Sequence, residues 1–143
     1  MDFIKDLDGG FSVIDNVKVS GAREGKYGVT IILCPNSTAS AVFTSNKVVA
    51  APVKYTKNVV KNGKVSAVFV NSGNANCFTG EQGLKDCETL VELLSRDLEI
   101  PKDEIAISST GVIGREMPID IISKVAYESI SNLGSEPENS LAA

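Results

Sequence analysis

Three hydroxyls and two glycines stand close together in the segment Ile105-Ala-Ile-Ser-Ser-Thr-Gly-Val-Ile-Gly114. Ile105, Ala106 and Ile107 suit a buried strand, Ser108, Ser109 and Thr110 place hydroxyls at its end, and Gly111 and Gly114 free the backbone there. A glycine lets its N–H approach a ligand closely, and a threonine beside it adds a side-chain donor. Two convergent neutral donors are what an acyl group requires as it passes through a tetrahedral intermediate, because they stabilise the oxyanion as its charge develops. Residue types alone leave a plainer reading open, and ahead: a strand closing on an ordinary glycine turn.

A second polar segment, Asn71-Ser-Gly-Asn-Ala-Asn76, packs three amides, a hydroxyl and a glycine into six residues. It reads either as a connection whose side chains satisfy the backbone around a tight turn, or as a neutral shelf for a substrate or a support for the Thr-Gly turn. It lacks the Gly-Lys-Ser/Thr of a phosphate loop and the GxGxxG dinucleotide fingerprint. The chain has no histidine, so neither a Ser-His-Asp nor a Cys-His pair can be assembled from it. Acyl chemistry would need another base, or one imported from a partner polypeptide. Cys34, Cys77 and Cys87 form an odd set without CxxC spacing, and no metal site is expected. All three read as reduced structural thiols, Cys77 included, although it adjoins the amide-rich loop. Glu88, Glu92 and Lys124 read as solvated helix faces, and Asp103-Glu104 and the pair Glu136 and Glu138 as polar loops.

The elements that would hold these segments follow from the apolar period. Residues 11–19 suggest two short strands turned at Asp15-Asn16, and 20–27 a loop. Gly28–Cys34 reads as a buried strand stopped by Pro35, and Ser40–Ser45 as a further strand. A helix is expected over 52–60 with Pro52 in its first turn, and a strand over Lys64–Val70 after the Asn62-Gly63 turn. Thr79 and Gln82 have capping-box spacing, and Leu84, Cys87, Leu90, Val91, Leu94 and Leu98 share one helical face. Beyond Pro118, Ile122, Val125, Ala126, Ile130 and Leu133 form another stripe, stopped by Gly134, with 135–143 beginning as a polar linker. From residue 64 onward both polar loops leave strand ends and precede helices, so parallel neighbouring strands would place them at one sheet edge.

The chain's 143 residues fit a single α/β domain spanning 1–143. No apolar run approaches the ~20 residues that span a bilayer. Met1–Asp8 lacks the basic and continuously apolar regions of a signal peptide, which leaves the cytoplasm as the default address. A net charge of −4 without a Lys/Arg stripe argues against nucleic acid.

Taken together, Ala41-Val-Phe-Thr44, Ala50-Ala-Pro-Val53, Asn71–Asn76 with Thr79-Gly80, and Ser109–Gly114 resemble the N-terminal part of the ornithine acetyltransferase, or glutamate N-acetyltransferase, family over residues 9 to 143. The resemblance implies a layered α/β sandwich of sheets and helices of the self-cleaving, N-terminal-nucleophile type. It also implies acetyl transfer from N-acetylornithine to glutamate in arginine biosynthesis, without a cofactor, and in some members from acetyl-CoA. Family members cut themselves into α and β chains. The N-terminal threonine of the β chain is the nucleophile, activated by its own α-amino group, and two α and two β chains form a heterotetramer. The family's oxyanion-hole pair falls on the Thr110 hydroxyl and the Gly111 N–H. The family's substrate-binding threonine and lysine segments and its Ala-Thr cleavage site do not occur here, so the chain reads as an incomplete α chain, inactive alone. Gly21-Ala-Arg23, where many members have Gly-Ile-Lys, and Cys77-Phe78 depart from the pattern locally. A self-cleaving aminopeptidase-type hydrolase and a non-catalytic domain binding a small ligand or a partner remain the alternatives.

Overall fold

A computed structural model describes residues 10–143; Met1–Asp8, the segment that lacks signal-peptide features, lies outside the described residues. Along them run β1 (Lys18–Glu24), β2 (Tyr27–Leu33), α1 (Ala51–Val59), β3 (Ala67–Ser72), α2 (Gly80–Leu98), β4 (Ile105–Ser109), α3 (Ile119–Ser131) and α4 (Pro137–Ala142). The strands form one sheet in chain order. β1 to β2 and β2 to β3 are antiparallel, whereas β3 and β4 are parallel, with Phe69 opposite Ile107 and Asn71 opposite Ser109. The parallel pair needs a crossover between its strands, and α2 supplies it.

Alternation along the strands decides which face is covered. Val29, Ile31, Ala67, Phe69, Ile105 and Ile107 project to one side and are buried with Cys87, Leu90, Val91 and Leu94 of α2 and Ile122, Val125 and Ala126 of α3. These helical positions are the two apolar stripes expected from the sequence; Leu84 and Leu98 lie at the margin, half-buried. Burying a side chain such as Phe69 completely contributes on the order of 2–3 kcal/mol. On the other side of the sheet Ile32, Val68 and Val70 are only half-buried.

The two outer strands are pinned at their flanks. On β4, Thr56 of α1 places its hydroxyl against the strand edge, donating to the Ile107 carbonyl at 2.8 Å and accepting from the Ile107 N–H at 2.9 Å. On β1, Val19 exchanges two backbone hydrogen bonds with Gly134, at 2.7 and 3.2 Å. One hydroxyl thus satisfies both groups that an edge residue would otherwise leave open. Among the described residues no helix is long and apolar enough to cross a membrane.

Four sequence expectations are corrected. Residues 10–13 form a 3-10 turn rather than a strand, and Asn16 turns the chain with φ of 62°. The loop expected over 20–27 is mostly β1, joined to β2 by the two-residue tip Gly25-Lys26. Gly21 is tolerated mid-strand because α4 lies close over it; a Cβ at Gly21 would collide with the Ala142 carbonyl. Ser40–Ser45 is irregular, with Val42 99% exposed, because no strand among the described residues pairs with it. The linker expected over 135–143 contains α4, whose first turn is closed by hydrogen bonds between Glu136 and Asn139.

Candidate active site

The loops that follow β3 and β4 do meet at one sheet edge, as parallel pairing requires. Their backbones are laced together: Thr110 N–H donates to the Asn71 carbonyl at 2.9 Å, Ala75 N–H to Val112 at 3.0 Å, and Gly114 N–H to Cys77 at 2.8 Å. The turn from Thr110 to Glu116 is exposed throughout, so these contacts, rather than burial, give it shape.

Thr110 and Gly111 stand side by side at the exposed end of β4. The Thr110 hydroxyl and the Gly111 N–H make no hydrogen bond to another described residue, which leaves two neutral donors one peptide apart. Gly111 has φ of 130°, a conformation that L side chains rarely adopt. A Cβ there would also stand 2.6 Å from Asn74 N and closer still to the Gly73 carbonyl carbon. The glycine is therefore required twice, by its dihedral and by the packing of one backbone on another. Gly73 repeats the arrangement on its far side: with φ of 93°, its Cβ would lie 2.5 Å from the Lys26 carbonyl oxygen at the β1–β2 tip.

The amides of the first loop are interior groups. Asn71, Asn74 and Asn76 are buried, so their side chains tie the loop to its surroundings, Asn74 to the second turn and Asn76 to the start of α2, rather than form an open shelf. Asn71 Nδ2 donates to the Asn74 carbonyl at 2.9 Å, and Asn74 Oδ1 accepts from Asn76 N–H at 3.0 Å. Asn76 Nδ2 donates to the Gly83 carbonyl at 2.9 Å and approaches Cys87 Sγ at 3.4 Å. Thr79 stands at the N-cap position of α2, but its side chain makes no capping hydrogen bond. Its hydroxyl donates to Asn76 Oδ1 at 2.8 Å, while Gln82 reaches Asp86 at 2.9 Å, so the residues that signalled a capping box are engaged elsewhere. Burial holds the Cys87 thiol neutral and pushes its pKa up to about 12, with Asp86 and Glu88 adding repulsion. Cys77 is half-buried beside a cleft of ≈ 350 Å³ lined in part by Val48, Lys54, Phe78 and Leu84. Among the described residues no group of three or more His, Cys, Asp or Glu could hold a metal.

Sequence reasoning did not anticipate the part played by Gly73, or that Asn74 would bridge to the second loop. A glycine between two amides at a strand end was the available signal, and it reads equally well as an ordinary turn.

Residues 15–143 match the ArgJ family. The chain belongs to that family. Among similar ArgJ-family proteins, the glutamate N-acetyltransferase of Methanothermobacter thermautotrophicus is 47% identical over 137 residues, covering 96% of this chain and 33% of that protein. The arginine biosynthesis bifunctional protein ArgJ of Archaeoglobus fulgidus is 42% identical over 126 residues, covering 88% and 33% respectively. The chain thus spans about a third of the length of these curated relatives. Ornithine acetyltransferase of Mycobacterium tuberculosis, solved with ornithine, superposes with a TM-score of 0.89 at 28% identity, covering 94% of this chain and 76% of that one. The Bacillus halodurans ArgJ protein gives 0.84 at 32% identity, covering 94% and 72%. The fold is therefore that of the ArgJ and ornithine acetyltransferase structures.

Proposed function

We propose that this chain supplies the oxyanion-stabilising half of an acetyltransferase that moves acetyl from N-acetylornithine to glutamate in arginine biosynthesis. The observation that carries the reading is a pair of donors, the Thr110 hydroxyl and Gly111 N–H, that no other described residue engages, on a turn locked from beneath in an ArgJ-family chain. The resemblance to the self-cleaving family assigns the nucleophile to an N-terminal threonine of a β chain, chemistry that needs no histidine, and this chain has none. The threonine's own α-amino group takes the hydroxyl proton as the oxygen attacks the acetyl carbonyl. Thr110 and Gly111 hold the resulting oxyanion, and the C–N bond then breaks as the proton passes to the departing ornithine amine. In the second half the amine of glutamate attacks the acetyl ester, through a second oxyanion at the same donors, and its proton passes by way of the α-amino group to the threonine oxygen as the C–O bond breaks.

Exposed Phe78, Val112 and Ile113 around the turn support the reading, since apolar groups bordering a reactive edge suit a covering polypeptide that excludes water. The proposal extends to a heterotetramer of two α and two β chains in the cytoplasm. Acetyl-CoA enters only as a second acetyl donor, and no residue here is assigned to it. The test is to incubate the full-length polypeptide with N-acetylornithine and glutamate. N-acetylglutamate and ornithine are the expected products, and free acetate in place of N-acetylglutamate would point to a hydrolase instead.

A further inference from the structure

The amide-rich loop reaches the donor turn through one residue more than any other. Asn74 is 3% exposed. Its Nδ2 donates across the site to the carbonyls of Arg115 at 3.2 Å and Glu116 at 3.0 Å, while its Oδ1 accepts from Asn76 N–H at 3.0 Å. Its own carbonyl is held by Asn71 Nδ2 at 2.9 Å, and its backbone nitrogen is part of the wall against which Gly111 packs. One residue therefore borders the start of the donor turn with its main chain and holds the end of that turn with its side chain. A connection that merely satisfied its own backbone would keep these donors within its loop. Here they are sent 41 and 42 residues along the chain, to carbonyls of a segment that has neither helix nor ladder to take them.

We infer that Asn74 is a positioning residue for the Thr110–Gly111 donor pair, fixing the height and tilt of that peptide without touching the reacting atoms. The inference rests on the assignment of the pair to the oxyanion. Asn71 holds the preceding peptide, Ser109–Thr110, from below, accepting the Thr110 N–H at its carbonyl. Its own Oδ1 is buried without a hydrogen-bond partner, so the network engages its amide donors with loop carbonyls while one of its own acceptors goes unused. Donors act on an oxyanion only over a narrow range of distance, and a shift of about 1 Å in a catalytic group costs on the order of 100-fold in rate. Removing the Asn74 amide frees the Arg115–Glu116 end of the turn and lets that shift occur.

The experiment uses the processed two-chain enzyme from the full-length gene, with active sites counted by the acetyl burst. Asn74→Ala is expected to lower kcat by about 100-fold while KM stays within about threefold. Isotope-edited infrared spectra of the carbonyl-labelled acetyl-enzyme report hydrogen bonding to the acetyl oxygen directly. The band should rise in Asn74→Ala toward its position in Thr110→Val, a displacement that loss of stability alone does not produce. Asn74→Asp keeps the shape and the acceptor for Asn76 N–H but lacks the donors, and it takes the place of the alanine variant should that one not fold. Its activity relative to wild type should recover in part at acidic pH, where the protonated carboxyl can donate again. A band that moves in Thr110→Val but stays at the wild-type frequency in the Asn74 variant overturns the positioning role and leaves the donor pair intact. A band unmoved in Thr110→Val removes the donor-pair reading itself, and this inference with it.

Discussion

Replacing Thr110 with valine separates chemistry from stability, because the two should respond in opposite measure. Valine keeps the β-branched outline and the backbone N–H that donates to the Asn71 carbonyl at 2.9 Å. Thr110 is exposed and its hydroxyl makes no hydrogen bond to another described residue, so the expected change in folding free energy is within about 0.5 kcal/mol. That corresponds to a change of about 2 °C or less in the unfolding midpoint of a protein larger than this chain. If the hydroxyl is half of the oxyanion site, its removal costs about 3–4 kcal/mol in the transition state, or roughly 100- to 1,000-fold in kcat. N-acetylglutamate formation by the full-length enzyme measures the second quantity and a thermal melt the first. Thr110→Ser, which retains the donor and loses only a methyl group, should recover most of the rate. A valine variant within about threefold of wild type, a difference under 1 kcal/mol, would show that the hydroxyl does not meet developing charge, and the assignment would have to be abandoned.

Gly111→Ala should fail on both counts. The new Cβ meets the Asn74 and Gly73 backbone at a φ of 130°, and a loss of more than about 1 kcal/mol in stability is expected from denaturant titration; an unchanged midpoint would contradict the packing described here. Thr56→Val leaves the Ile107 N–H and carbonyl without their shared partner, at a cost of about 1–3 kcal/mol, and hydrogen exchange at the Ile107 amide should accelerate. Cys87 should be the last of the three cysteines to react with a thiol reagent at pH 8, since burial raises its pKa to about 12 from an ordinary 9.0. Between 9.0 and about 12 the folded chain holds a proton that the unfolded chain has released. Stability attributable to this group is therefore complete below the ordinary thiol value and is lost between there and about 12. Urea midpoints of wild type should fall more steeply over that alkaline range than those of Cys87→Ala.

Long elements with a clear period could be read from the residues. The α2 and α3 stripes, the apolar runs of β3 and β4 and the helix opening at Pro52 each follow from local pattern, and the sharing of one edge by the two polar loops follows from parallel pairing. What escaped depends on partners distant in sequence. Gly21 and its polar neighbours read as a loop because nothing local shows that α4 will lie over them. Ser40–Ser45 has strand-forming residues, yet a strand exists only where another pairs with it. Thr79 and Gln82 have the spacing of a cap, but Asn76 and Asp86 take their hydrogen bonds first. At the site, Thr110 and Gly111 could be named from a family resemblance. The burial of the amides beside them could not, because a polar loop looks the same in sequence whether it faces water or the interior.

The two-residue tip between β1 and β2 has a consequence for how this chain can change. Surface hairpin tips commonly accept extra residues, and they are favoured places for inserted tags. Here the carbonyl of Lys26 backs onto Gly73, beside the Tyr27 ring, and Gly73 in turn backs onto Gly111, so three main-chain segments far apart in sequence are in close contact. Main chain packed this closely on main chain has little compliance with which to absorb displacement. A residue added at Gly25-Lys26 would therefore be transmitted to the donor turn, and a tip that looks expendable from outside is confined in length by a site it never touches.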